Sequence, residues 1–211
     1  MPKTEIEALR LIQQAEEGQA DFIEVRLDSL MNLKGLADLA ACGSLPKIAT
    51  NKNPSITEKE IQLTLLSAAK NGFTYVDVDL SHSSPADLVK EVKNLGAQSI
   101  VSFHHHSSSA NIPYLNMVLD KQISVGADIC KIVTTPTRLQ DNLTLLQFTQ
   151  IACSKIKVVC FGMGEFGKMS RLLSPAFGGF FTFASLKRGS ETAPGQMTIE
   201  EMKAAYQMLG L

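Results

Sequence analysis

Gly126-Ala-Asp-Ile-Cys-Lys-Ile-Val-Thr-Thr-Pro136 reads as a buried β-strand. The run is short, apolar and rich in β-branched residues; Gly126-Ala127 opens it and Thr134, Thr135 and Pro136 close it. Lys131 stands in its middle. With a period of two, Ala127, Ile129, Lys131 and Val133 share one face, so the ammonium points the same way as aliphatic neighbours. Two readings follow. The lysine is a strand-end residue that snorkels to solvent, or it is held in an apolar site. A lysine in such a site tends to titrate lower and becomes a nucleophilic amine able to form a Schiff base with a ketone.

Outward from this strand, the chain alternates helix and strand with short connections. Strand patterns cover Phe22–Leu27, Pro46–Thr50, Tyr75–Leu80, Ser99–Phe103, the lysine strand, Lys157–Phe161 and Gly179–Ala184. Helical periodicity covers Glu5–Glu17, Leu30–Ala41, the stretch from Thr57 to Asn71-Gly72, Ser84–Leu95, Ile112–Val125, Leu139–Ser154 and Thr198–Leu209. Thr57-Glu-Lys-Glu60 has the form of a capping box. Strict alternation means parallel strands joined by crossover helices, with strands apolar enough to be covered on both faces. The fold class expected is α/β, a (β/α)8 TIM barrel formed as a single domain over residues 1–211. Seven strands are visible where a closed barrel has eight, and the chain opens on a helix, so the first strand is missing or displaced. Either the true start lies about ten residues upstream, or the barrel closes in an unusual way.

Composition narrows the function classes. The 211 residues carry 20 basic and 21 acidic side chains, a net charge of −1. That gives no basic surplus for nucleic acid or a membrane surface. No apolar run is long enough to span a bilayer, and the N-terminus lacks a signal-peptide core. Cys42, Cys130, Cys153 and Cys160 form no C-x-x-C pair and read as reduced thiols of a cytoplasmic protein.

Ionisable residues gather on the strands. Glu24 and Arg26 share a face, with Asp28 just beyond; Asp77 and Asp79 share another; Ser102, His104 and His106 a third; Lys131 adds a fourth strand. Buried charge networks stabilise poorly compared with apolar packing. In parallel α/β folds the C-terminal strand ends carry the active site, so these residues point to chemistry. His104-His105-His106 offers only two imidazoles on one face and no third ligand, so acid–base work is expected rather than a metal. Gly162-Met-Gly-Glu-Phe-Gly167 matches G-x-G-x-x-G but does not open a first βαβ unit. With Ser170 and Arg171 behind it, the loop suits anion binding by backbone amides and a guanidinium. Ala193-Pro-Gly-Gln196 reads as a turn from which Gln196 reaches the barrel mouth.

Glu24-Val-Arg-Leu-Asp28, Ser102-Phe-His104, Ala127-Asp-Ile-Cys-Lys-Ile132, Met169-Ser-Arg171, Thr182-Phe-Ala184 and Ala193-Pro-Gly-Gln196 together resemble type I 3-dehydroquinate dehydratase in order and spacing. The resemblance implies a Schiff-base barrel of the shikimate pathway, a cytoplasmic homodimer whose small-molecule substrate is 3-dehydroquinate, with no cofactor and no metal. It implies that Lys131 condenses with the C3 ketone and that His104 removes a C2 proton and protonates the departing C1 hydroxyl, a syn elimination. It implies that Arg171 binds the carboxylate, that Glu24 and Arg26 bind the hydroxyl side, and that Gln196 and Thr192 contact substrate, Thr192 standing where the family often has serine.

The sequence departs from the family pattern in the absent first strand and after Pro46–Thr50. There the family has an arginine and a Glu-Gly-Gly turn, and this chain has Asn51-Lys-Asn-Pro54. Lys52 is the candidate for the positive charge, and Glu58 or Glu60 for the carboxylate that pairs with the histidine. The rival readings are another Schiff-base lyase or aldolase on the same barrel, and a weakened relative retained as a binding partner.

Overall fold

The computed structural model describes residues 1–105 and 110–211. By its internal contacts the chain divides into two compact units, Met1–Ile100 and Val101–Leu211. The first unit holds α1 (Glu5–Glu17), β1 (Ile23–Arg26), α2 (Leu36–Ala41), β2 (Lys47–Thr50), α3 (Glu58–Lys70), β3 (Tyr75–Asp79), α4 (Pro85–Asn94) and the first residues of β4 (Gln98–His105). The second holds the rest of β4, then α5 (Ile112–Ser124), β5 (Ile129–Thr134), α6 (Asp141–Ala152), β6 (Lys157–Gly162), α7 (Lys168–Leu173) and α8 (Ile199–Leu209).

Hydrogen-bonded strands follow in chain order from β1 to β6. A helix lies in every connection between neighbours, and the pairs β1–β2, β2–β3 and β5–β6 are parallel. This is the α/β class expected. All six residues of β5 are buried, as a strand covered on both faces must be. The thiols of Cys130 and Cys160 lie in β5 and β6, and burial pushes both up to about 12. Gly126, at φ +90°, turns the chain from the end of α5 into β5, a conformation that favours glycine. Among the described residues no helix is long and apolar enough to cross a membrane.

The structure corrects two expected elements. Gly179–Ala184 is not a ladder strand. Phe180 N–H donates to Val158 O at 2.7 Å, but the segment carries no strand pairing, and its aromatic side chains are used in the site described below. The helix expected over Leu30–Ala41 begins only at Leu36. Leu27–Ser29 forms a 3-10 turn, and Asn32 Oδ1 accepts from Lys34 N–H at 3.3 Å. Such a local side-chain bond competes with helix formation. Among the described residues the strand ladder therefore has six members where seven were expected, and α1 precedes its first strand.

The capping box at Thr57 forms, with Thr57 Oγ1 accepting from Glu60 N–H and Glu60 reaching back to Thr57. The same device caps α1 through Thr4 and Glu7, and α8 through Thr198 and Glu201. Thr57→Ala and Thr198→Ala are each expected to lower unfolding free energy by about 1 kcal/mol. The double variant should lose the sum, because the two caps share no partner; urea denaturation of the three variants checks this.

Candidate active site

β5 carries Lys131 into the interior of the second unit. In register, Lys131 lies opposite Val159 and Val133 opposite Phe161. The Cys160 thiol bonds Thr149 of α6, so alternation turns Val159, Phe161 and Lys131 to the face away from that helix. The lysine is only 6% exposed, which rules out a solvated strand end. Its Nζ lies 4.4 Å from the centroid of the Phe183 ring, on the π face that attracts a cation.

Arg171, on α7, joins the same aromatic pair. Its guanidinium carbon is 4.2 Å from the Phe161 ring centroid, and Nη1 donates to the Phe183 carbonyl at 3.4 Å. The Phe161 and Phe183 centroids are 5.9 Å apart. Thr182 Oγ1 donates to Arg171 O at 2.8 Å, tying the extended segment to α7. Arg171 is 1% exposed, and among the described residues its Nε and Nη2 have no acceptor. Burial pushes the guanidinium down to about 10, which leaves it charged near neutrality. A buried cation with two unmatched donors is costly and is suited to a planar anion.

β4 supplies the histidine. The His105 ring lies 5.4 Å from Tyr114 on α5 and 6.3 Å from Phe103. Phe103 and His105 therefore face the helix layer, in which α5 packs on α6, and alternation turns Ser102 and half-buried His104 to the opposite face, the one Lys131 occupies. His106 lies outside the described residues. Among the described residues no group of three His, Cys, Asp or Glu side chains could hold a metal ion.

Several amides of the glycine-rich loop are taken up by main-chain carbonyls. Met163 N–H donates to Thr134 O at 2.8 Å, Gly164 N–H to Pro194 O at 2.9 Å and Gly167 N–H to Gly164 O at 3.1 Å. Its glycines serve close approach: a Cβ on Gly167 would sit 2.3 Å from the Gly162 carbonyl carbon. Ser170 Oγ accepts from Gly162 N–H at 2.9 Å. The loop thus braces the helix that carries Arg171. Thr192 and Gln196 are brought to each other, Gln196 Oε1 accepting from Thr192 N–H at 2.8 Å and from its hydroxyl at 3.3 Å. They line a surface depression of about 490 Å³ with Glu165, Lys168 and Glu191.

In the first unit, Glu24 and Arg26 sit on β1 with side-chain partners of their own. Glu24 accepts from Thr50 Oγ1 at 2.9 Å. Arg26 grips Asp28 in a two-pronged bond of 2.9 and 2.7 Å. That bond raises the guanidinium above its ordinary range despite burial. Burial alone would raise Asp28, but the bond and charge of Arg26, with main-chain N–H groups of Asp28 and Lys52, together outweigh it and hold the carboxyl low.

Lys52 bridges Asp77 and Asp79, each at 2.9 Å, because the β2–β3 register sets Thr50 beside Asp77. Burial would lower the Lys52 ammonium; the two aspartates overcome this and raise it. Likewise burial would raise Asp79, and Lys52 holds it low. The Lys52 charge is therefore engaged with two carboxylates of its own unit. The two glutamates suggested as partners of the histidine are engaged locally: Glu60 closes the α3 cap, and Glu58 accepts from Ser83 N–H at 3.4 Å. The sequence reading missed Phe161 and Phe183 as supports for the two cations. Phe183 was visible inside Thr182-Phe-Ala184, but without a role.

A family model described as type I 3-dehydroquinase matches residues 1–211. The 3-dehydroquinate dehydratase of Methanothrix thermoacetophila is 30% identical over 209 residues, covering 97% of this chain and 88% of its own. That of Methanothermobacter thermautotrophicus is 33% identical over 206 residues, covering 94% and 89%. The crystal structure of 3-dehydroquinate dehydratase from Geobacillus kaustophilus HTA426 aligns with a TM-score of 0.88 over 96% of this chain and 85% of that one, at 24% identity, a likeness of fold.

Asp77 is wholly buried and Lys52 is 23% exposed, so Lys52→Met should take an ion-pair partner from a buried carboxylate and cost about 3 kcal/mol. The lowered carboxyls of Asp28 and Asp79 contribute stability that is complete above the ordinary carboxylate value, about 4. That contribution drains as pH falls through their lower folded values. The raised Lys52 contributes below the ordinary lysine value, about 10.4, and its share is lost as pH rises through its higher folded value. Urea midpoints should therefore be flat between these limits and fall on the acid side, with a shallower acid limb in Lys52→Met.

Proposed function

The chain belongs to the type I 3-dehydroquinase family, and from that premise we propose that it is a 3-dehydroquinate dehydratase working through a Schiff base at Lys131. The Lys131 amine, having given up a proton, adds to the C3 ketone, and loss of water from the carbinolamine leaves an iminium that draws electrons from C2. His104 takes the C2 proton. The electron pair flows toward the iminium, then returns to expel the C1 hydroxyl, which His104 protonates so that it departs as water. Water adds to the remaining iminium, 3-dehydroshikimate is released, and Lys131 is regenerated.

The observation that carries this reading is the pairing of two buried cations on one aromatic pair. Lys131 lies on Phe183, and Arg171 lies on Phe161 with two donors unmatched among the described residues. A substrate with a ketone and a carboxylate meets both demands, since the ketone consumes the amine and the carboxylate fills the guanidinium fork. The shared sheet face of His104 and Lys131 supports the acid–base role. Glu24 and Arg26, with Thr192 and Gln196, take the remaining substrate-binding roles on the strength of the family pattern. In the same reading residues 1–211 form one barrel domain of a cytoplasmic homodimer on the shikimate pathway, without cofactor, metal, nucleic acid or membrane. The four free cysteines and the net charge of −1 accord with that setting.

Borohydride added to the protein with 3-dehydroquinate tests the chemistry. Intact mass should gain one reduced adduct, peptide mapping should put it on Lys131, and untreated enzyme should release 3-dehydroshikimate. Lys131→Ala should form no adduct. His104→Ala should bind but not turn over, and Arg171→Lys should raise KM by about tenfold or more through loss of a bidentate pair. An adduct without turnover in the unaltered protein would mark a weakened relative, and no adduct would end the Schiff-base reading. Wild-type rates in Lys131→Ala or His104→Ala would do the same for the residue roles.

A further inference from the structure

Gln122 is a fully buried polar side chain on α5 that the proposed reaction does not use. Its Nε2 donates to two main-chain carbonyls, Val101 O on β4 and Lys131 O on β5, each at 2.9 Å. Among the described residues its Oε1 has no partner. One carboxamide therefore bridges the strand that carries His104 to the residue that carries the amine. Its own main-chain oxygen accepts from Ala127 N–H at 3.2 Å, which binds the same turn of helix to the entry of β5.

We infer that Gln122 is a positioning residue for the dehydratase reaction, setting the separation of Lys131 and His104 through the backbones of their two strands. This rests on the Schiff-base reading above. The amide thereby satisfies one main-chain carbonyl on each of two strands. What the amide adds is directional. Its two N–H groups lie in one plane at a fixed angle, so they fix where two carbonyls stand relative to one another, which packing alone does less sharply. Proton transfer from a substrate held on Lys131 to His104 is sensitive to such offsets, since a reacting pair must be held to within about 0.5 Å.

The test is Gln122→Met, with Gln122→Leu as a second variant, in the full chain. Borohydride trapping counts the sites that form adduct, and turnover is expressed per such site, so a partly unfolded preparation still answers. The expected result is kcat lower by about tenfold with KM within about twofold. The primary isotope effect with C2-deuterated substrate should be larger, as the proton-transfer step becomes limiting. Turnover per trapped site within about twofold of the unaltered chain overturns the inference, as does a fall in melting temperature that accounts for the loss through fewer competent sites. The unaltered chain run alongside separates the two levels: if it forms no adduct, the Schiff-base reading fails, and if it forms adduct and turns over as the variants do, only the role of Gln122 fails.

Discussion

Two positive charges held in an apolar interior are the constraint on which the second unit turns. Lys131 and Arg171 are almost wholly buried, and Nε and Nη2 of Arg171 have no acceptor among the described residues. A phenylalanine ring lies beneath each cation. A ring face attracts a cation without donating the full counter-charge that would lock it in place. The arrangement keeps the cations desolvated and ready for an anionic, electrophilic ligand, at a cost in stability that an ordinary core would not carry. The first unit takes the opposite course. Arg26 is forked to Asp28 and Lys52 is held between two aspartates, so its cations are already matched.

That contrast explains the structural work around Arg171. Its helix has six residues and could not hold a buried guanidinium by itself. Gly162 and Gly167 meet at a distance that only glycines allow, Ser170 ties the loop back to β6, and Asn142 Oδ1 accepts from Ser170 N–H at 2.9 Å. The motif that looks like a phosphate cradle is a brace. The amides of Gly162, Met163, Gly164 and Gly167 are spent on protein acceptors as the chain turns tightly to place α7 against β6.

Much of this was legible in the sequence where the signal is local. The strand around Lys131, the helix Glu5–Glu17 and the capping box at Thr57 depend on spacing over a few residues, and each stands as read. The placement of His104 and Lys131 on one sheet face also follows from a period of two once neighbouring strands are known. What depended on register was not legible. The lysine after β2 was visible as a stand-in charge, but its capture by Asp77 follows from how β2 pairs with β3. Gly179–Ala184 has the composition of a strand, and only the tertiary structure shows Phe183 placing its ring under Lys131 and its carbonyl against Arg171. The late start of α2 was lost to an asparagine turn that periodicity does not register.

The buried thiols of Cys130 and Cys160 carry a consequence for chemical probing. Burial keeps both protonated far above neutrality, so neither offers a thiolate to an electrophile, although Cys130 is the immediate chain neighbour of Lys131. The exposed thiol of Cys153 and the half-buried one of Cys42 stand elsewhere in the chain. A carbonyl or aryl-ester reagent shaped for the interior of the second unit therefore meets an amine there without sulfur as a competitor. The fold provides chemoselectivity for lysine by making the adjacent sulfur inert.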